Sequence, residues 1–147
     1  MVQPRISRRR ISVRLVASVA AAFSIVLAAS ACGDSEAAEE EGTPTASTCP
    51  SSSTLTYDNF AKPFMEAYCT RCHSSALTGA ARHDAPLGHD FDSEAGILVV
   101  GEHVDAHAAA GPGAVNTIMP PEDPKPTEAE RRQLGEWLAC ATKGDGG

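Results

Sequence analysis

An all-α domain of three to four helices is what this sequence predicts, on three observations. Large apolar residues recur at helical spacing in three separate stretches: Phe60, Phe64 and Tyr68; Ile97, Val100 and Val104; and Leu134, Leu138 and Ala141. Helix-starting signals precede the last two, and no stretch alternates apolar and polar residues long enough for a sheet. Directly after the first stripe comes Cys69-Thr70-Arg71-Cys72-His73, two thiols and an imidazole within five residues.

The chain has 147 residues, enough for one modest domain beyond its N-terminal region. Its net charge of −7 conceals an asymmetry. Residues 1–31 hold five of the 12 basic residues and no acid, so the remainder carries 7 basic against 19 acidic residues, a formal −12. Such a surface argues against nucleic acid as a partner and favours a basic patch on another protein.

Residues 1–31 have a basic start, an apolar run from Leu15 to Ala29 and then small residues before Cys32. This is a signal-peptide pattern, with an apolar run short for a membrane span. Ala29-Ser30-Ala31 fits ordinary cleavage, whereas Ala29-Ser30-Ala31-Cys32-Gly33 also resembles a bacterial lipobox, with Ala where Leu is usual. Lipidation of Cys32 is the expectation, with plain secretion the alternative. Residues 32–53 are acidic and small, with no large apolar residue. They read as a disordered tether of about 25 Å root-mean-square span, from roughly 5–6 Å times the square root of its length.

The folded domain is expected over 54–147. Pro63 belongs in a first helical turn, so a regular helix starts near Lys62 or an earlier turn is kinked there. Either way the helix runs into the Cys69–His73 motif. Residues 74–92, with Gly79, Pro86 and Gly88, read as a loop. Asp92 or Ser93 caps a helix to about Ala110, in which Gly101 allows close approach of a neighbour. Gly111-Pro112-Gly113 ends it. Thr127-Glu128-Ala129-Glu130 is a capping box that opens the last helix, with Arg131, Arg132, Gln133 and Glu136 expected to face outward. Residues 143–147 read as a frayed tail.

Two cysteines three apart followed by histidine form the attachment sequence of a c-type haem. On a helical turn both sulfurs face one side and each adds to a haem vinyl group, while His73 reaches the iron. The imidazole nitrogen opposite the iron then needs an acceptor, for which a backbone carbonyl near Pro86 is a candidate. Ile118-Met119-Pro120-Pro121 offers a thioether from a rigid extended loop, suited to the sixth iron position. A thioether opposite imidazole raises the potential. The plainer reading of Met119 is a core gap-filler. With haem on Cys69 and Cys72 and lipid on Cys32, the five cysteines close if Cys49 pairs with Cys140 as a disulfide.

The motif has rivals. A thiol–disulfide exchange protein would use Cys69 and Cys72, but a thioredoxin-like motif sits in a βαβ frame absent here. A structural zinc site needs four ligands, and the motif has three. His103 and His107 lie at i and i+4, yet without the Glu of a HExxH protease, and read as solvated residues.

A helix, Cys69-Thr70-Arg71-Cys72-His73, a loop with Pro86, Met119-Pro120-Pro121 and a terminal helix with Leu134, Trp137-Leu138 and Cys140 together resemble a class I cytochrome c. The similarity is closest to small exported bacterial c-type cytochrome domains, myxobacterial ones included, and covers roughly Cys49 to Thr142. It implies a class I cytochrome c-like fold around one covalent haem, with Cys69 and Cys72 as thioether attachments, His73 as proximal ligand and Met119 as distal ligand. It also implies that the first helix crosses the last. The histidine-rich stretch after Gly88 keeps His103 and His107 open as distal ligands. The expected function is one-electron carriage in the periplasm or outer cell envelope, not enzymatic turnover. Redox partner proteins would dock through a basic patch, with attachment to the membrane by lipid. A haem-based ligand sensor is the remaining alternative.

Overall fold

The computed structural model describes residues 41–144. The predicted signal peptide, Cys32, the tether up to residue 40 and the last three residues lie outside the described residues. Within them the chain forms four α-helices and no strand, only an isolated antiparallel bridge between Ala110 and Val115. Among the described residues no helix is long and apolar enough to cross a membrane.

The first helix begins with a capping box. Thr56 Oγ1 accepts from the Asn59 N–H, and Asn59 Oδ1 accepts from the Thr56 N–H. A wide π-helical turn, Tyr57–Ala61, leads into α1, Lys62–Tyr68. Pro63 lies in the first turn of α1, where it has no N–H to donate backward, so the regular ladder starts only from Lys62. The predicted stripe is real: Phe60 and Phe64 rings lie 5.6 Å apart, Phe64 and Tyr68 5.0 Å.

Where one helix was expected after Ser93 there are two. Ser93 caps α2, Glu94–Val99, by accepting from the Gly96 N–H. The backbone breaks at Val100 (φ −121°, ψ 28°), and α3 runs Gly101–Ala108. Two glycines and consecutive β-branched valines weaken the helix there. Ile97 and Val104, on either side of the break, both lie in the core, while Val99 is left outside at 80% exposure. Gly101 is buried against Leu138, but a Cβ there would stand 3.7 Å from Leu138 Cδ2, an ordinary contact, so the expected close approach is not what keeps this position glycine.

The last helix, α4, is Glu128–Gly144. Its predicted capping box is present, with Glu130 N–H donating to Thr127 Oγ1 and Thr127 N–H donating to Glu130 Oε2. Leu134, Trp137 and Leu138 of α4 meet Phe64 and Met65 of α1, Ile97 of α2 and Val104 and Ala108 of α3 in one core. Tyr68 Oη donates to Glu130 Oε1 (2.9 Å), tying the end of α1 to the start of α4. Cys49 and Cys140 form a disulfide, 91 residues apart in sequence. In the chain-entropy treatment a loop of that size adds roughly 4–5 kcal/mol.

Residues 42–49 differ from the expected tether. They lie as a strap over α3 and the loop after it, with Thr45 fully buried. Asp105 accepts from both the Thr45 N–H (2.8 Å) and Oγ1 (2.6 Å). Thr43 and Asn116 exchange hydrogen bonds, and Gly113 N–H donates to the Thr45 carbonyl (2.7 Å). Hydrogen bonds to small hydroxyl residues replace the apolar burial that the segment lacks.

Gly135, in the middle of α4, is explained by this packing. A Cβ there would stand 2.4 Å from Ser47 Oγ and 2.7 Å from the Ala110 carbonyl oxygen. Gly135→Ala, which in a free helix gains about 1 kcal/mol, is therefore expected to destabilise the protein by about 1–3 kcal/mol through overpacking, read from urea unfolding. The Glu130 carboxyl is held below the usual range by the hydrogen bonds from Thr127 and Tyr68. Its contribution is complete above the ordinary Glu value of about 4.3 and is lost as pH falls through the lowered folded value. Between about pH 6 and about pH 3 the unfolding midpoint is expected to drop less in Glu130→Gln than in the wild type.

Candidate functional site

The Cys69–His73 motif is a turn that continues α1. Cys69 and Thr70 N–H groups donate to the Met65 carbonyl, and Cys72 and His73 N–H groups donate to that of Cys69 (3.1 and 3.0 Å). Cys69 and Cys72 are both half-buried and not disulfide-bonded. Burial pushes the Cys69 thiol up to about 12, the opposite of what a thiol–disulfide nucleophile requires.

His73 Nδ1 lies 3.2 Å from the carbonyl oxygen of His89. A carbonyl only accepts, so Nδ1 carries the proton and the lone pair is on Nε2. Desolvation lowers the His73 pKa and favours the neutral ring. The ring stacks on Phe91 at 4.6 Å, and the Phe91 N–H donates to the His73 carbonyl (2.9 Å). The acceptor is thus a backbone carbonyl of the expected loop, three residues past Pro86. The Pro86 carbonyl takes a hydrogen bond from Arg82 instead (2.8 Å).

Arg82, 4% exposed, organises this loop. Its guanidinium donates to the carbonyls of Ser74, Ala85, Pro86 and His89 and pairs with Asp90 at 2.7 Å. A loop with little apolar content holds its shape because a buried cation collects its carbonyls.

Met119 sits on the other loop, half-buried against the same core cluster as Cys69. Its N–H donates to the His107 carbonyl (2.9 Å), and its carbonyl accepts from Arg131 Nη1 (2.8 Å). The same Nη1 donates to the carbonyls of Ala108 (2.7 Å) and Asn116 (2.9 Å). Arg131, expected to face outward, is only 2% exposed. Periodicity had placed it beside Arg132, which is indeed at the surface in an ion pair with Glu128. Arg71 of the motif donates to the carbonyls of Glu122 and Asp123, just past Met119-Pro120-Pro121. The motif and the methionine loop are therefore brought together across the start of α4.

Histidines complete the connection. His73 and His89 rings lie 6.3 Å apart, His89 and His103 4.9 Å, and His103 and His107 3.8 Å. A continuous series of contacts thus runs from His73 to the residue that holds the Met119 N–H. His107 Nδ1 is bonded to the His103 carbonyl (2.9 Å). His103 and His107, read as solvated from sequence, are half-buried. His89, which sequence reasoning did not single out, has a buried Nδ1 without a hydrogen-bond partner. Among the described residues no three His, Cys, Asp or Glu side chains converge on a point that would hold a metal ion. A cleft of about 220 Å³ lined by Lys62, Thr70, Ser74 and Phe91 opens beside the motif, and none of the predicted site residues lines it. Cys49 and Cys140 are joined to each other and take no part in this cluster.

With a thiol pKa near 12, Cys69 in protein folded without a cofactor is expected to alkylate at pH 8 roughly 10³-fold more slowly than an unfolded-chain cysteine. Mass-spectrometric mapping of iodoacetamide adducts checks this, and equal rates in folded and unfolded protein would refute it. Comparison of the chain with protein-family models, with curated proteins and with solved structures finds no significant match.

Proposed function

We propose that the protein is a mono-haem c-type cytochrome with a class I cytochrome c-like arrangement, carrying single electrons outside the cytoplasm. The observation that carries this reading is the state of His73: within a Cys-x-x-Cys-His turn, its Nδ1 proton is occupied by the His89 carbonyl and its Nε2 lone pair is left for a metal. The donor set fits a haem. Two unbridged thiols and an imidazole share one turn, a thioether lies on the loop whose Glu122 and Asp123 carbonyls accept from Arg71 of that turn, and the buried Nδ1 of His89 is a polar atom that the protein alone leaves unpaired.

When bound, the haem supplies a one-electron iron couple. Cys69 and Cys72 would hold it through their sulfurs, and His73 Nε2 and Met119 Sδ would be the protein donors to its iron. With both of those donors supplied by the chain, no position would be left for a substrate, and the activity would be electron carriage. Arg82 and the His89 carbonyl fix the orientation of the His73 ring. Leu87, 87% exposed on the same loop, offers an apolar contact to a redox partner, and the acidic surface favours a basic docking patch. Export by residues 1–31 and a lipid on Cys32 would tether the carrier in the periplasm or outer envelope.

Co-expression with haem-attachment machinery and reduced-minus-oxidised spectroscopy test the reading. Haem covalently bound at Cys69 and Cys72 is expected by mass spectrometry; a colourless protein whose mass shows no haem would sink it. Met119→Ala is expected to lower the reduction potential and to open the reduced protein to carbon monoxide. An unchanged spectrum and potential in that variant, with a change in His103→Ala or His107→Ala, would move the distal ligand to a histidine. A wild type that binds carbon monoxide readily would favour a ligand sensor.

A further inference from the structure

We propose that Arg131 is the positioning residue for Met119: its guanidinium, rather than the packing of the methionine side chain, sets where the thioether is presented. The inference rests on the reading of Met119 as the distal ligand.

Four features of the structure point to it. First, the Met119 peptide is held at both ends, its N–H by the His107 carbonyl in the last turn of α3 and its carbonyl by Arg131 in the first turn of α4. Second, Pro120 and Pro121 follow directly and have no N–H, so the next backbone donors that could locate the segment are missing. Third, the Met119 side chain is only half-buried, and a thioether on three rotatable bonds is weakly oriented by packing alone. Fourth, the Nη1 that holds Met119 also holds Ala108 and Asn116, so the methionine loop is referenced to α3 and α4 through one atom. The Ala110 N–H donates back to the Arg131 carbonyl (2.9 Å), which fixes the arginine's own place on α4.

A buried guanidinium that donates to three carbonyls from separate segments is more than core filling. If it is removed, three buried acceptors lose their donor. The carbonyls of Ala108 and Asn116 belong to segments with other backbone bonds, from Ala109, Gly111 and Asn116 N–H groups and from the strap. The stretch around Met119 is tied by its own N–H on the His107 carbonyl and, past the two prolines, by Arg71 on Glu122 and Asp123. Arg131 is the donor on the Met119 carbonyl itself, and the consequence of losing it should concentrate there.

The test uses the haem-loaded full chain with Arg131→Gln, which keeps one short neutral donor, Arg131→Lys, which keeps charge and three donors on a shorter stem, and Ile97→Ala, a core truncation in α2 that touches none of these bonds. The readouts are the sulfur-to-iron absorption band of the oxidised protein, the reduction potential, and hydrogen exchange of the Met119 amide. Arg131→Gln is expected to lose more than half of the band, to fall in potential and to exchange the Met119 amide faster. Arg131→Lys should rescue part of each, and Ile97→Ala should keep band and potential although its melting temperature drops. A band and potential unchanged in both arginine variants, with only the melting temperature lowered as in Ile97→Ala, would overturn the inference. If the Gln variant does not fold, the Lys variant decides: a wild-type band there overturns the inference, a diminished one supports it. A wild-type chain that carries no haem overturns the cytochrome reading itself, an outcome distinct from a haem-bearing protein whose band ignores Arg131.

Discussion

A guanidinium out of water is costly unless each of its donors finds an acceptor, and the burial of Arg131 sets the terms for the rest of this structure. Its acceptors are backbone carbonyls from the end of α3, the loop after the Ala110 bridge and the methionine segment. Those segments must approach α4 together or leave Nη1 without its acceptors. The strap then lies over the same region, with Ser47 close to Gly135 and Thr45 on Asp105, and the Cys49–Cys140 bridge closes it onto α4. Removing a side chain at the centre of such an arrangement is expected to disturb several loops at once, because they share it.

The loop on the other side of the motif follows the same logic with Arg82. There too a buried cation gathers carbonyls from a stretch poor in apolar residues, and Asp90 balances part of its charge. The two arginines order the two loops that carry the His73 acceptor and Met119. A small domain with few large apolar residues gains rigid loops this way without a larger core. On the proposed function, two buried positive charges within one or two hydrogen bonds of the axial residues also favour the reduced iron, the less positive state. The acidic excess of the residues beyond 31 acts in the opposite sense and at longer range, where solvent screens it.

Much of the frame was legible in the residues. The apolar stripes on α1 and α4, the Thr127 capping box, the start of regular helix at Lys62 and the Cys49–Cys140 pairing are all present. Each depends on neighbours within a turn or two, or on the counting of cysteines. The Cys69–His73 turn belongs with them, since its geometry is local. Periodicity missed two features. The helix after Ser93 divides at Val100, between Gly96 and Gly101 and at paired valines that weaken a helix, and the even spacing of Ile97, Val100 and Val104 does not announce it. The strap at 42–49 orders itself on Asp105 and Asn116, residues sixty or more positions away, and composition gave no sign of them.

The sequence by itself determined which groups are available: a thiol pair and histidine on one turn, a methionine followed directly by two prolines, helices at 3.6-residue spacing. Tertiary structure alone decided which of them are held, and by what. It turned Arg131 inward, settled which carbonyl near Pro86 meets His73, that of His89, and joined His73, His89, His103 and His107 in a row that ends at the Met119 amide. The reason is physical. Helical periodicity records which face of a helix is apolar, whereas backbone carbonyls carry no side-chain signature in sequence. Where buried cations depend on such carbonyls, their partners appear only once the chain has folded back on itself.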